Sequence, residues 1–316
     1  MNRWLRCLRA PALAGVFVGA LLLTGCATPQ MATLAQRWPG DLPAATLIEA
    51  VPFFPQDDYQ CGPAALAMAA RAAGVAVTPE DLVEQVYLPS RQGSLQLEML
   101  AASRRQGLPA YLLAPKLEAL LREVTAGHPV IVLQNLAFSF APLWHYAVVI
   151  GFDRSRNQLI LHSGRTERME MSLFTFERTW ARGDHWAMVA LAPTRLPVTA
   201  EPDAYAASVA ALERVDPRAA QTAYATALQA WPTHRGALLG AGNTAHALGQ
   251  LDRAATAYRT ATRAYADFAD AWNNLAQVLL EQGQKAEASE AIARAVAFGG
   301  PRLPRYLELQ QKINTK

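Results

Sequence analysis

Cys61 stands where a loop gives way to an Ala-rich run, in "PQDDYQCGPAALAM" (55–68). Pro63 falls in the first turn of the helix this run predicts, and Gly74 follows its end. A thiol at a helix start lies among amides without an intrahelical partner and at the positive end of the dipole, both of which favour the thiolate. Gly62 lets a substrate approach closely. The same cysteine also fits a packed core position, since unpaired cysteines are commonly buried. Nucleophilic work requires a base for the thiol proton, a group that orients this base, and donors for the oxyanion.

The base should be a histidine from another element. His145 is the strongest candidate, because "WHYAVVIGFD" puts it at the start of a strand. His128 precedes Pro129 in a turn, His185 opens the last strand, and His234 and His246 belong to a helical region. The histidines are scattered and predict no metal cluster; no cofactor is implied.

The elements that would hold these residues follow from pattern. With 316 residues, 52% hydrophobic and 17% charged, the chain has room for two domains with real cores. The net charge of +3 comes from Arg3, Arg6 and Arg9; beyond residue 25 there are 26 basic and 26 acidic residues, which leaves no footprint for nucleic acid. "MNRWLRCLRAPALAGVFVGALLLTGC" has a basic start and a short apolar run, as in a secretion signal (1–25). Its "LTGC" resembles a bacterial lipobox, which implies lipidation of Cys26, and Ala27 in place of aspartate implies an outer-membrane lipoprotein facing the periplasm. Cys61 is then the one free thiol of the mature chain, and no intrachain disulfide is available. Residues 26–46, rich in proline, read as a lipidated tether.

From residue 47 the pattern tightens. Helices are expected at 61–74, at "TPEDLVEQVY" with Thr78 as cap, and at "SLQLEMLAASRRQG" closed by Gly107. "HPVIVLQNL", "WHYAVVIGFD", "QLILHSG" and "HWAMVALAP" read as strands of an antiparallel sheet, giving an α+β domain over 47–195. "APTRLPVTAEPD" marks a boundary, with a linker at 196–200. Beyond it, Trp272, Leu275, Ala276, Gly283, Ala288, Ile292 and Ala295 recur 34 residues earlier as Leu238, Ala241, Gly242, Gly249, Ala254, Tyr258 and Ala261. This resembles a tetratricopeptide (TPR) array of three repeats over 201–302, an all-α solenoid that implies a protein partner. Residues 303–316 read as a tail.

"QDDYQCGPAALAM" followed by "WHYAVVIGFD" resembles the C39 group of papain-like cysteine peptidases, over about residues 47 to 193. The resemblance implies a papain-like α+β fold, with Cys61 as nucleophile, His145 as base and Gln56 as side-chain donor to the oxyanion beside the Cys61 amide. Gln60 competes with Gln56, but a side chain next to the nucleophile can seldom fold over the same oxyanion. Most members carry an Asp on the strand paired with the histidine strand. Here "GFDRSRNQLILHSG" brings His162 and Ser163 to that place, with no carboxylate. A neutral His162 could accept from the proton-bearing nitrogen of His145, and Ser163 could do so more weakly. Asp153 better fits a hairpin cap. The expected function is a lipid-anchored thiol peptidase whose repeats recruit a peptide or protein substrate or a partner. An inactive peptidase-like scaffold is the alternative, and a cell-wall amidase is disfavoured because Cys-Gly-Pro replaces its usual nucleophile context.

Overall fold

The structure, a computed structural model, describes residues 28–56 and 60–315. Cys7, Cys26 and the expected signal segment lie outside the described residues, as do Asp57, Asp58 and Tyr59. No helix among the described residues is long and apolar enough to cross a membrane.

The first domain is built on an antiparallel sheet. Its strands are β1 (Ala45–Leu47), β4 (Ala110–Leu112), β5 (Val130–Asn135), β6 (Trp144–Asp153), β7 (Gln158–Ser163), β8 (Thr166–Ser172) and β9 (Ala187–Ala190). They lie in the order β4-β9-β5-β6-β7-β8, with β1 added to β6 beyond the reach of β5. Apolar side chains alternate between the two faces of β6: Tyr146, Val148 and Ile150 enter one core, Ala147 and Val149 the other. The first face is covered by α2 (Cys61–Ala72), α3 (Pro79–Val86) and α4 (Gln96–Arg105), with a two-strand ribbon, β2 (Tyr87–Leu88) and β3 (Gly93–Ser94), between them. In α2 every residue from Gly62 to Ala70 is buried, so its small side chains let it lie close on the sheet. The N-terminus of α3 is closed by Asp81 Oδ2, which accepts from the Thr78 amide at 2.9 Å and its hydroxyl at 3.1 Å.

The opposite face is covered by α1 (Pro29–Gln36), α5 (Leu117–Thr125) and α6 (Leu173–Ala181). Residues expected as a tether are therefore part of the domain over 28–46. Met31 and Leu34 are buried, and β1 joins the sheet. The buried carboxylate of Glu177 accepts from the Gln30 and Met31 amides at 2.9 and 2.6 Å, satisfying helix-end donors that the sequence of α1 cannot satisfy itself.

The second domain stacks α7 (Pro202–Glu213), α8 (Pro217–Ala230), α9 (Arg235–Ala247), α10 (Leu251–Ala264), α11 (Ala269–Glu281), α12 (Lys285–Phe298) and α13 (Leu303–Thr315). α8, α10 and α12 begin 34 residues apart. Gly242 is required by this stacking, because a Cβ there would overlap the Tyr258 ring. The expected tail is instead a last helix, α13, with Tyr306, Leu309 and Ile313 buried. The two domains share one core: Tyr205, Val209, Leu212, Ala220 and Tyr224 cluster with the second face of the sheet. The junction is also polar. Buried Glu123 accepts from the Thr199 amide at 2.7 Å and hydroxyl at 2.6 Å, and its other oxygen lies 2.6 Å from His128 Nδ1.

Candidate active site

The pairing of β6 with β7 runs no nearer to the start of β6 than Val148↔His162. Tyr146 is thus unpaired along this edge, and its backbone is used by side chains instead. The Tyr146 amide is directed at the Cys61 thiol, together with the amides of Gly62 and Cys61 itself. The Tyr146 carbonyl accepts from Gln56 Nε2 at 3.5 Å. Cys61 and Gln56 therefore meet beside the residue that follows His145.

Gln56 is buried and held by both ends of its amide. Its Oε1 accepts from the Gly164 amide at 3.1 Å, and its own backbone N–H donates to the Gly164 carbonyl at 3.1 Å. This fixes the Nε2 side toward the Tyr146 carbonyl, with a second N–H to spare. Gln60 is the N-cap of α2, and its side chain makes no cap hydrogen bond. Gly62 has no room for a Cβ, which would overlap the Ser94 side chain. The ribbon strand β3 thus closes on the residue after the nucleophile position.

His145 Nε2 lies 2.9 Å from Ser163 Oγ. With Nε2–H donating to this hydroxyl, the neutral tautomer leaves Nδ1 as a free lone pair. His162, expected to be the stronger orienting group, is not in this position. It is buried, its Nε2–H donates to the Val51 carbonyl at 3.2 Å, its Nδ1 accepts from the Arg168 amide at 3.2 Å, and its ring lies against Phe53. Both nitrogens are committed, so none is left for His145. The register shift in the β7–β8 pairing between Leu161 and Ser163 falls at this point; such irregularities re-aim side chains, and one here is not visible in residue types. Asp153 caps the β6–β7 turn, accepting from the Ser155 amide at 2.8 Å and hydroxyl at 2.7 Å.

Burial disfavours the charged form of both the thiol and the imidazole. Burial raises the Cys61 pKa above that of an ordinary thiol, and the three amides only partly oppose this. The helix-start argument for a thiolate is thus outweighed by desolvation. Burial likewise pushes His145 down to about 4. Among the described contacts there is no hydrogen bond between Cys61 and His145. Among the described residues no group of three or more His, Cys, Asp or Glu is placed to hold a metal.

The sequence reading missed the hairpin tip "LAFSFAPLW" (136–144), which leads into His145 and exposes several large apolar side chains. Its signal was available: five large apolar residues in a nine-residue turn with no charge. A cavity among the described residues lies away from Cys61, in the repeats. It measures about 510 Å³ and lies between α9, α11 and α13, lined by Asn243, Asn273, Asn274 and Lys312 among others.

Residues 48–185 match the model of the Peptidase_C39 like family, and residues 205–258 and 241–302 match that of the tetratricopeptide repeat. No curated protein matches the chain. Among solved structures, a crystal structure from Bacillus anthracis, provisionally described as a C39-like peptidase, is 19% identical. The match covers 47% of this chain and 98% of that one, with a TM-score of 0.40.

Proposed function

Because the protein consists of a C39-like peptidase domain followed by tetratricopeptide repeats, we propose that it is a cysteine peptidase using Cys61, His145, Gln56 and Ser163. The observation that carries this reading is the His145 Nε2–Ser163 Oγ contact of 2.9 Å; with Nε2–H donating to the hydroxyl, Nδ1 is the basic nitrogen. In attack, the Cys61 sulfur bonds the carbonyl carbon of a peptide as its proton passes to Nδ1. The oxyanion takes hydrogen bonds from Gln56 Nε2 and the Cys61 amide. Collapse breaks the C–N bond, and the imidazolium returns its proton to the leaving amine. Water then attacks the thioester, giving a proton to Nδ1; the C–S bond breaks, the carboxylic acid product leaves, and the imidazolium returns its proton to the sulfur. Since burial disfavours both charged forms, proton transfer would accompany the attack step.

The same reading makes the protein a lipoprotein anchored through Cys26 at the outer membrane and facing the periplasm, with the repeats holding a protein substrate or partner. A second reading, a peptidase-like binding module without turnover, is favoured by the absence of a thiol–imidazole hydrogen bond among the described contacts.

The mature chain should cleave members of a random peptide library, read as new amino termini by mass spectrometry. Cys61→Ala and His145→Ala should each lower the rate by about a thousandfold or more. Gln56→Ala should cost about ten- to a hundredfold. Unchanged cleavage in Cys61→Ala would overturn the assignment. No cleavage, together with iodoacetamide alkylation of Cys61 that His145→Ala leaves untouched, would establish the binding module instead.

A further inference from the structure

The tip joining β5 to β6 presents Leu136, Phe138, Phe140, Leu143 and Trp144 to solvent, with Phe140 87% exposed and Phe138 66%. It is a built turn. Asn135, itself 2% exposed, accepts through Oδ1 from the Ala137 and Leu143 amides at 3.1 and 3.0 Å. The Leu136 amide donates to the Leu143 carbonyl at 2.9 Å, and the Phe138 and Phe140 rings stack with centroids 5.3 Å apart. Holding apolar rings in water by an ordered turn is unfavourable unless something covers them. No Asp, Glu, Lys or Arg occurs between Glu123 and Asp153.

The position of the entering chain indicates what covers it. α6 starts beside the β6–β7 turn, where the Leu173 amide donates to the Asn157 carbonyl. It ends beside the tip, where the Arg182 guanidinium donates to the Ala137 carbonyl. α1 runs the other way: its first turn is bound to Glu177 of α6, and Trp38, just past its end, packs on Phe152 near the β6–β7 turn. Thr28, two residues after Cys26 in the sequence, therefore lies on the tip side of Trp38, near the middle of α6.

We propose that the 136–144 tip is a bilayer-contacting surface, with Phe138 and Phe140 entering the acyl region and Trp144 at headgroup level, as an amphipathic ring prefers. It would act as the second of the two signals that stable anchoring takes, beside lipid on Cys26. The orientation argument rests on the lipidation reading, but the tip's own affinity for lipid does not.

Every described element lies at or after residue 28, so the unlipidated chain beginning at Ala27 is the fitting test. It should float with vesicles of phosphatidylethanolamine and phosphatidylglycerol. The double variant Phe138→Ser/Phe140→Ser should float about tenfold less or weaker still, with unchanged thermal unfolding, since both rings are outside the core. Equal flotation of the two proteins, or none of either, overturns the proposal. Loss of apolar-peptide cleavage through a raised KM, without flotation, would assign the tip to substrate. A concentration-dependent dimer that the variant abolishes would assign it to self-association; both results reject the bilayer. Palmitate incorporation into the full chain and Cys26→Ser reports the anchor separately.

Discussion

In the proposed site, Ser163 would orient His145 without supplying a charge. A hydroxyl can fix the tautomer, but it cannot stabilise an imidazolium as a carboxylate does. No acidic group opposes the burial that pushes His145 down to about 4. The base is active when unprotonated, so kcat/KM should hold as pH falls through 6 and drop only near pH 4, read as the acid limb of the profile. Ser163→Asp should move that limb upward toward 6.5 and speed alkylation of Cys61 at neutral pH. Ser163→Ala should lower kcat by about tenfold with little change in KM. His162→Gln should instead lower the unfolding temperature and leave the acid limb in place, because His162 ties Val51 to Arg168. Linkage gives a further expectation. A histidine with a depressed folded-state pKa takes up its proton more readily when unfolded, so stability is lost as pH falls from about 6.5 to 4, at up to about 1.4 kcal/mol per pH unit. Urea titrations across this range, with a His145→Gln comparison, would measure it.

At the scale of elements, the start of α2 is positioned by contact as much as by its own residues. Gly62→Ala would drive a methyl into Ser94, costing about 1–3 kcal/mol. Ser94→Gly should return part of that loss, checked by the denaturation midpoints of the single and double variants. The strands with continuous apolar runs, β5, β6, β7 and β9, were legible in the sequence because both of their faces are buried. β8 was not. "TERMEMS" is a largely exposed edge strand whose polar alternation carries little signal. α1 was hidden by Pro29 at its start, by Pro39 and Pro43 after it, and by a cap, Glu177, that lies 146 residues away from Met31. The site divides the same way. That Cys61 opens a helix and His145 lies at the start of a strand was legible from local pattern, and Gln56 entered only through the family resemblance, whereas the pairing of His145 with Ser163 instead of His162 depends on contacts with Val51 and Arg168 that no spacing announces.

At the scale of the molecule, the two domains are joined by one apolar core and one buried carboxylate. Glu123→Ala would leave the Thr199 amide and hydroxyl without their acceptor. The linker should then open more often, and limited trypsin digestion should cut after exposed Arg195 several times faster than in the parent chain. Steady digestion rates would show that apolar packing alone holds the junction. The first repeat helices share the sheet's second core rather than hanging from a free hinge. The start of the repeats is consequently held against the sheet by packing. If the repeats hold the substrate as proposed, this shared core would make cleavage fall at a preferred number of residues from the held segment.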